Sequence, residues 1–366
     1  MSVFPGQPPT IALAADGWSV EILDQTALPH RVVIRTLGTA ADMAEAIRRM
    51  RVRGAPLIGA AAAYGLSLAL RADPSDAGLH AAVSLLRATR PTAVNLAAAL
   101  ERVTAAVRPL APGARAERAY TEAAAICADD VALNRAIGEH GIRLLRERAS
   151  SGRPVRVLTH CNAGYLATVD WGTALAPVYQ ARAEALPVHV WVSETRPRGQ
   201  GALTAWELGR AGVPHTVIAD NAAGHLMQAG KVEICLVGTD RTTATGDVCN
   251  KIGTYLKALA ARESDVPFYA CVPGPSIDWA ARSAAEIPIE ERDGDELRVI
   301  QTGDSAGQVV HLLPGDTPVA NPAFDVTPGR LLTGLITERG VCAASSAGLR
   351  GLYPERAGAP PGGGSR

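Results

Sequence analysis

Residues 18–37, WSVEILDQTALPHRVVIRTL, place apolar runs on either side of DQTALP, a polar stretch that ends in proline. That pattern predicts two short strands joined by a turn, a hairpin at the edge of a domain. From about residue 40 to 149 apolar positions instead recur every three or four residues, in ADMAEAIRRM, PLIGAAAAYGLSLAL, SDAGLHAAVSLLRAT, AVNLAAALERVTAAV and a long stretch beginning near Arg115. This spacing predicts successive amphipathic helices. After SSGRP the period shortens again. The runs VRVLT, VHVWV, HTVIA, EICLVG and FYACV each end in glycine or polar residues and alternate with helical stretches. Such an alternation predicts βαβ units, whose right-handed crossovers build a parallel sheet. The expected fold class is α/β: a mostly helical N-terminal domain with a small β-hairpin over residues 1–149, then a parallel-sheet domain over 150–353. The tail at 354–366, PERAGAPPGGGSR, holds too few apolar residues to offset the entropy of ordering and is expected to be flexible.

Length agrees with this division, since 366 residues exceed what one core usually organises. Lysine plus arginine, 36, equal aspartate plus glutamate, 36, so no global field attracts nucleic acid or an anionic membrane, and a small ligand is the expected partner. The N-terminal MSVFPGQPPT lacks the basic and apolar regions of a leader, and no apolar run reaches the ~18–20 residues of a membrane span. A cytoplasmic protein is expected. The six cysteines, Cys127, Cys161, Cys235, Cys249, Cys271 and Cys342, show no paired spacing, which suggests neither a disulfide framework nor a zinc site.

In open parallel sheets ligands bind beyond the carboxyl ends of the strands. Polar, mostly glycine-containing stretches follow four successive strands here: HCNAG, SETRPRGQG, DNAAG and GTDR. Cys161, in the first, reads either as a small buried hydrophobe or as a thiol activated by the start of a following helix. His160 beside it reads more readily as an ordinary hydrogen-bonded residue than as a base. Asp240, in the last, is either a turn cap or a carboxyl kept protonated by apolar walls, and hence a general acid. Arg53 and Gly54 precede Pro56 at a predicted helix start, an arrangement suited to phosphate, as are Asn250 and Lys251 before a later helix. Arg90 offers a further cation. No GxGxxG or GxxxxGK[ST] motif supports a dinucleotide or P-loop enzyme. Together the residues suggest a phosphorylated small molecule undergoing proton chemistry.

The stretches LDQTALP, RGAPLIGAAAAYGL, RPTAVNL, THCNAGYLATVDWGTAL, ETRPRGQGALTAWEL, DNAAGHLM, GDVCNKIGTY, IPIEER and NPAFDVTPGRLLTGLITERGV, in order from residue 23 to 341, resemble the methylthioribose-1-phosphate isomerases. Regulatory subunits of the translation initiation guanine-nucleotide exchange factor are close relatives of that family. The resemblance implies a Rossmann-like second domain and a homodimer. It also implies an aldose–ketose isomerase of methionine salvage that uses neither metal nor nicotinamide. Carried over by motif, it makes Cys161 and Asp240 the catalytic pair, with Asp240 the proton donor. Arg53, Gly54, Ala55, Arg90, Gln200, Asn250 and Lys251 become the substrate-binding positions. The chain departs from the family pattern in QGALTAWEL, one residue short after Gln200, and in GTDR for the more usual GADR. Relatives that act on 5-deoxyribose 1-phosphate or ribose 1,5-bisphosphate, and non-catalytic regulatory subunits on the same fold, are therefore the alternatives.

Overall fold

The computed structural model describes residues 6, 8–90, 93–149, 152–301 and 309–356. Three strands open the chain: β1 (Ile11–Leu13), β2 (Val20–Leu23) and β3 (Ile34–Leu37). The expected hairpin is β2–β3, paired antiparallel from Val20↔Leu37 to Leu23↔Ile34, and β1 widens it to a three-stranded sheet. Helices α1 (Ala40–Arg48), α2 (Ala55–Ala72), α3 (Asp76–Arg87), α4 (Val94–Val107) and α5 (Pro112–Arg146) follow, each lying on one of the periodic stretches. A capping box between Thr39 and Asp42 starts α1, and the Ser75 hydroxyl accepts from the Gly78 N–H at the start of α3. Contrary to the reading of its apolar runs, the chain has in α2 an 18-residue helix long and apolar enough to cross a membrane, but 78% of it is buried among its neighbours. Its alanines and glycines make that burial possible, since small side chains let α4 and α5 pack close on it.

After α5 come β4 (Val155–Thr159), α6 (Ala176–Ala183), β5 (Val188–Ser193), α7 (Gln200–Arg210), β6 (His215–Ile218), α8 (Ala222–Gln228) and β7 (Ile234–Val237). A short hairpin, β8 (Arg241–Thr243) and β9 (Val248–Lys251), leads to α9 (Thr254–Glu263) and β10 (Phe268–Cys271). The remaining strands are β11 (Ile277–Asp278), β12 (Val299–Gln301), β13 (Val309–His311), β14 (Phe324–Thr327), β15 (Gly334–Thr337) and β16 (Gly340–Cys342). The main sheet runs β16-β15-β10-β7-β4-β5-β6. It is parallel except for the edge strand β16, which the sequence pattern did not reveal. Without β16 this is the doubly wound order of a Rossmann sheet, with its reversal between β4 and β7.

Apolar cores lie on both faces of the sheet, because alternate residues of each strand point to opposite sides. Val155 and Val157 join one core, and Leu158 the other. Helix α5, 35 residues and about 52 Å long, serves two cores. Ala119 and Ala123 pack with the N-terminal helices, while Ile137, Ile142 and Leu145 pack on the sheet. Of the expected flexible tail, Pro354–Arg356 form a short 3-10 turn, and Glu355 pairs with Arg339 at 2.8 Å; residues 357–366 lie outside the described residues.

Candidate functional site

A cavity of about 670 Å³, its mouth included, opens at the carboxyl ends of β4 and β7, where the strand order reverses. The start of α2 forms its opposite wall. Cys161, Asp240, Arg53, Gly54, Ala55, Arg90, Gln200, Asn250 and Lys251 all line it. Nine positions spread over nearly 200 residues of sequence thus meet in one space.

Cys161 stands just past the end of β4 in the left-handed region, φ 64°. Its backbone has left the sheet ladder, and two threonine hydroxyls take over its hydrogen bonds. The Cys161 N–H donates to Thr195 Oγ1 at 2.8 Å, and Thr204 Oγ1 donates to the Cys161 carbonyl at 2.8 Å. Thr195 is itself left-handed, φ 62°, and its N–H donates to Asp220 Oδ1 at 2.9 Å. Asp220, from DNAAG, also accepts from the Arg196 N–H at 2.8 Å. That motif therefore braces the loop that holds the thiol and does not line the cavity. Backbone strain of this kind persists only where its surroundings fix it. Replacing Thr195 with valine, which removes the acceptor but keeps the shape, is expected to cost about 1–3 kcal/mol of stability and to change the alkylation rate of Cys161 severalfold. Thr195→Ser should restore both. An unchanged denaturation midpoint and labelling rate in Thr195→Val would show that the hydroxyl does not hold Cys161.

The sequence reading placed Cys161 at a helix start, and the structure corrects this. Only a 3-10 turn, Tyr165–Ala167, follows, and α6 begins at Ala176. No helix begins at Cys161 itself to favour the thiolate. Burial pushes the thiol up from its ordinary value, against the smaller downward pull of Arg53 and Lys251, so Cys161 is protonated at neutral pH. His160, beside it, is engaged elsewhere. The imidazole is 1% exposed, its Nε2 hydrogen-bonds the Ile252 carbonyl at 2.8 Å, and burial holds the ring neutral.

Gly54 caps α2 with φ 94°, and a Cβ there would lie 2.4 Å from the Ala167 carbonyl oxygen. Only glycine lets the helix start approach the loop after Cys161 this closely. Arg53 is 9% exposed. Its guanidinium donates to Asn162 Oδ1 at 2.5 Å and to the Asn162 carbonyl at 2.6 Å. Asn162 in turn donates to Thr204 Oγ1 at 3.1 Å and to Glu207. A buried chain of polar groups thus fixes Arg53 before any anion arrives.

Asn250 and Lys251 end β9, and α9 begins only at Thr254, which corrects their placement at a helix start. The N–H groups of Gly253 and Tyr255 are taken by the Asp325 carboxylate at 2.7 and 3.1 Å, so that terminus offers nothing to a phosphate. Lys251 reaches the cavity from the strand, with Nζ 4.6 Å from the centre of the Phe324 ring. Gln200 starts α7 with Oε1 buried and unpartnered, and Arg90, 3.4 Å from Glu290, keeps its buried Nε unpartnered. Unpaired buried polar atoms are costly, and a ligand that bonds them recovers the cost. Asp240 follows β7 beside the cavity. Burial raises its carboxyl above the ordinary range, with Lys251, Arg90 and Arg53 partly opposing. Among the described residues no cluster of three or more His, Cys, Asp or Glu could hold a metal.

Asn162, Thr195, Thr204, Glu207 and Phe324 were missed from the sequence. Glu207 carried a signal: it lies on the same helical face as Leu203, Thr204 and Leu208, an apolar stripe in which a carboxylate needs a buried partner. Asn162 sat inside HCNAG. Thr195 and Thr204 had no comparable mark, because their role depends on a loop geometry that spacing does not encode.

The profile of the initiation factor 2 subunit family matches residues 51–344. A methylthioribose-1-phosphate isomerase of Rhodospirillum rubrum is 59% identical over 363 residues, 96% of this chain and 93% of its own. The crystal structure of 5-methylthioribose 1-phosphate isomerase from Pyrococcus horikoshii superposes with a TM-score of 0.83 at 39% identity, covering 96% of this chain and 97% of the other. That of translation initiation factor eIF-2B, subunit delta, from A. fulgidus gives a TM-score of 0.79 at 37% identity, covering 95% and 100%.

Proposed function

The chain belongs to the initiation factor 2 subunit family, and within it we infer an aldose–ketose isomerase that converts 5-methylthioribose 1-phosphate into 5-methylthioribulose 1-phosphate in methionine salvage. The observation that carries the site assignment is the meeting of Cys161 and Asp240 with Arg53, Arg90 and Lys251 around one cavity at the switch point of the sheet. A regulatory subunit needs no thiol and carboxyl facing a shared space. The same proposal makes the protein a cytoplasmic homodimer, with residues 1–149 and 150–353 as its domains.

The substrate carries its phosphate on the anomeric oxygen, so its ring cannot open to a free aldehyde. Arg53, Lys251 and Arg90, with the backbone of Gly54 and Ala55, hold the phosphate, and Gln200 and Asn250 hold the sugar hydroxyls. Fixing the sugar in this way converts binding energy into orientation. Asp240, protonated, gives its proton to the ring oxygen as the C1–O bond breaks, leaving an oxocarbenium-like C1. The C2 hydrogen then moves to C1 with its electron pair, and the proton lost from the C2 hydroxyl balances the one gained by the ring oxygen. A bound phosphate offsets the cations that pull Cys161 and Asp240 down, so substrate binding favours the protonated form of both. A protonated thiol cannot take the C2 proton, which supports the hydride route, with Cys161 as a polarisable wall beside C1 and C2.

Turnover of 5-methylthioribose 1-phosphate in heavy water tests both parts. The expected product is the ketose without solvent deuterium at C1. Deuterium there would replace the hydride shift by proton transfer through Cys161, and absence of ketose would remove the isomerase reading.

A further inference from the structure

The carboxyl of Glu207, on α7, is fully buried and does not line the cavity. It accepts from the Leu166 N–H at 3.3 Å, from the side-chain amide of Asn162 and from the Tyr179 hydroxyl. Gly164 leaves the space for it, since a Cβ there would collide with the carboxylate. Donors from the loop after β4 and from α6 thus converge on one buried acid. Arg53 stands at the other end of Asn162, its guanidinium 2.5 Å from the Oδ1 of the same amide whose Nδ2 donates to Glu207. Among the described residues both hydrogen-bond acceptors of Arg53 belong to Asn162. A buried cation without a counter-charge is costly. Through the polarised amide of Asn162, Glu207 supplies one.

We propose that Glu207 is the counter-charge of Arg53 before substrate binds, and that it takes a proton from solvent when the substrate phosphate replaces it in that role. The inference rests on the reading above in which Arg53 holds the phosphate. Glu207 touches no reacting atom, so it is a positioning residue that acts through Asn162. Its charged and titratable neighbours are Arg53, Tyr165 and Tyr179, with Asp170 facing the two tyrosines. Burial pushes both phenols up, so they stay neutral, and Arg53 is the cation that favours the charged carboxyl. Burial also raises Glu207 to about 7, against the pull of its donors and of Arg53. A bound phosphate cancels the field of Arg53 and raises the carboxyl further. Below the value in the free protein Glu207 is already protonated, and binding takes up nothing through it. Above that value binding takes up a proton there, so affinity falls as pH rises until the carboxyl stays charged in the complex as well.

The test titrates wild type and Glu207→Gln with 5-methylthioribitol 1-phosphate, an alditol phosphate that cannot isomerise, by calorimetry in buffers of different ionisation enthalpy. Proton changes on the ligand, Asp240 and Cys161 are common to both proteins and drop out of the difference. Wild type is expected to take up roughly half a proton more than Glu207→Gln at pH 7.5, and the ratio of its dissociation constant to that of the variant should rise severalfold from pH 6 to pH 8.5. A merely structural role of Glu207 would shift affinity by the same factor at every pH. Tyr179→Phe decides the question if Glu207→Gln does not fold. Losing that hydroxyl raises Glu207 in the free protein, so less proton should be taken up at pH 7 than in wild type. Equal uptake in wild type and in the variant that decides overturns the role of Glu207 alone. A wild type that does not bind the analogue, or binding unchanged by Arg53→Gln, overturns the placement of the phosphate on Arg53, and the role of Glu207 falls with it.

Discussion

Cys161→Ser is expected to lower kcat by about a hundred- to a thousand-fold, the range typical of losing a group that stabilises charge developing at the reacting atoms. Binding of 5-methylthioribose 1-phosphate, read by calorimetry, should stay within a few-fold of wild type. Serine keeps the size class and the left-handed backbone hydrogen bonds to Thr195 and Thr204, which involve only main-chain atoms of residue 161. What it removes is the large polarisable sulfur facing C1 and C2. The phosphate ligands Arg53 and Lys251 are untouched, and so the effect belongs in kcat and not in KM. A variant that retains turnover within tenfold would refute a catalytic role for Cys161 and reopen the regulatory-subunit reading.

Asp240→Asn should reduce kcat by a similar factor and, unlike the cysteine variant, abolish a limb of the pH profile. Burial raises the Asp240 carboxyl pKa above its ordinary value. As the proton donor it is active when protonated, so wild-type kcat/KM is level below this raised pKa and falls as pH rises through it; in the asparagine variant that limb disappears. Stability also falls as pH rises, but there the asparagine variant gains over wild type. A folded-state pKa raised above the unfolded one favours folding fully only below the unfolded value, and that contribution is lost as pH rises through the folded value. At neutral pH the wild type therefore carries a buried carboxyl that would be better solvated unfolded. The Asp240→Asn protein should have a higher denaturant midpoint than wild type near pH 8, and the difference should shrink on acidification below the ordinary carboxyl range. Equal midpoints at pH 8 would show that Asp240 is well solvated and not poised as an acid.

Local pattern was enough to place the helices α1–α5 and the strands β4, β5, β6, β7 and β10, because all of them except the partly exposed β6 bury one face or both faces of a regular element and so write their own period into the sequence. It was not enough for β8, β9, β14 and β16, which are three or four residues long and lie among loops whose hydrophobicity is shared with their neighbours. Residue types and motif order likewise marked Cys161, Asp240, Arg53, Arg90 and Lys251. Their electrostatics were another matter. Cys161 follows a strand in a way that spacing alone reads as a helix start, yet only the fold shows that no helix is there and that burial keeps the thiol protonated.

The sequence by itself therefore determined the α/β class, the parallel-sheet half and the candidate chemistry, since these depend on short-range periodicity and on which side chains follow strand ends. The tertiary structure alone decided that β4 and β7 flank the switch point and that α2 lies against the loop after Cys161 at Gly54. It also decided that Thr195, Thr204 and Asp220 hold the thiol in a left-handed turn. Each of these joins residues 25 or more apart in the chain, and pKa values, strain and cavity shape are set by what is brought close in space.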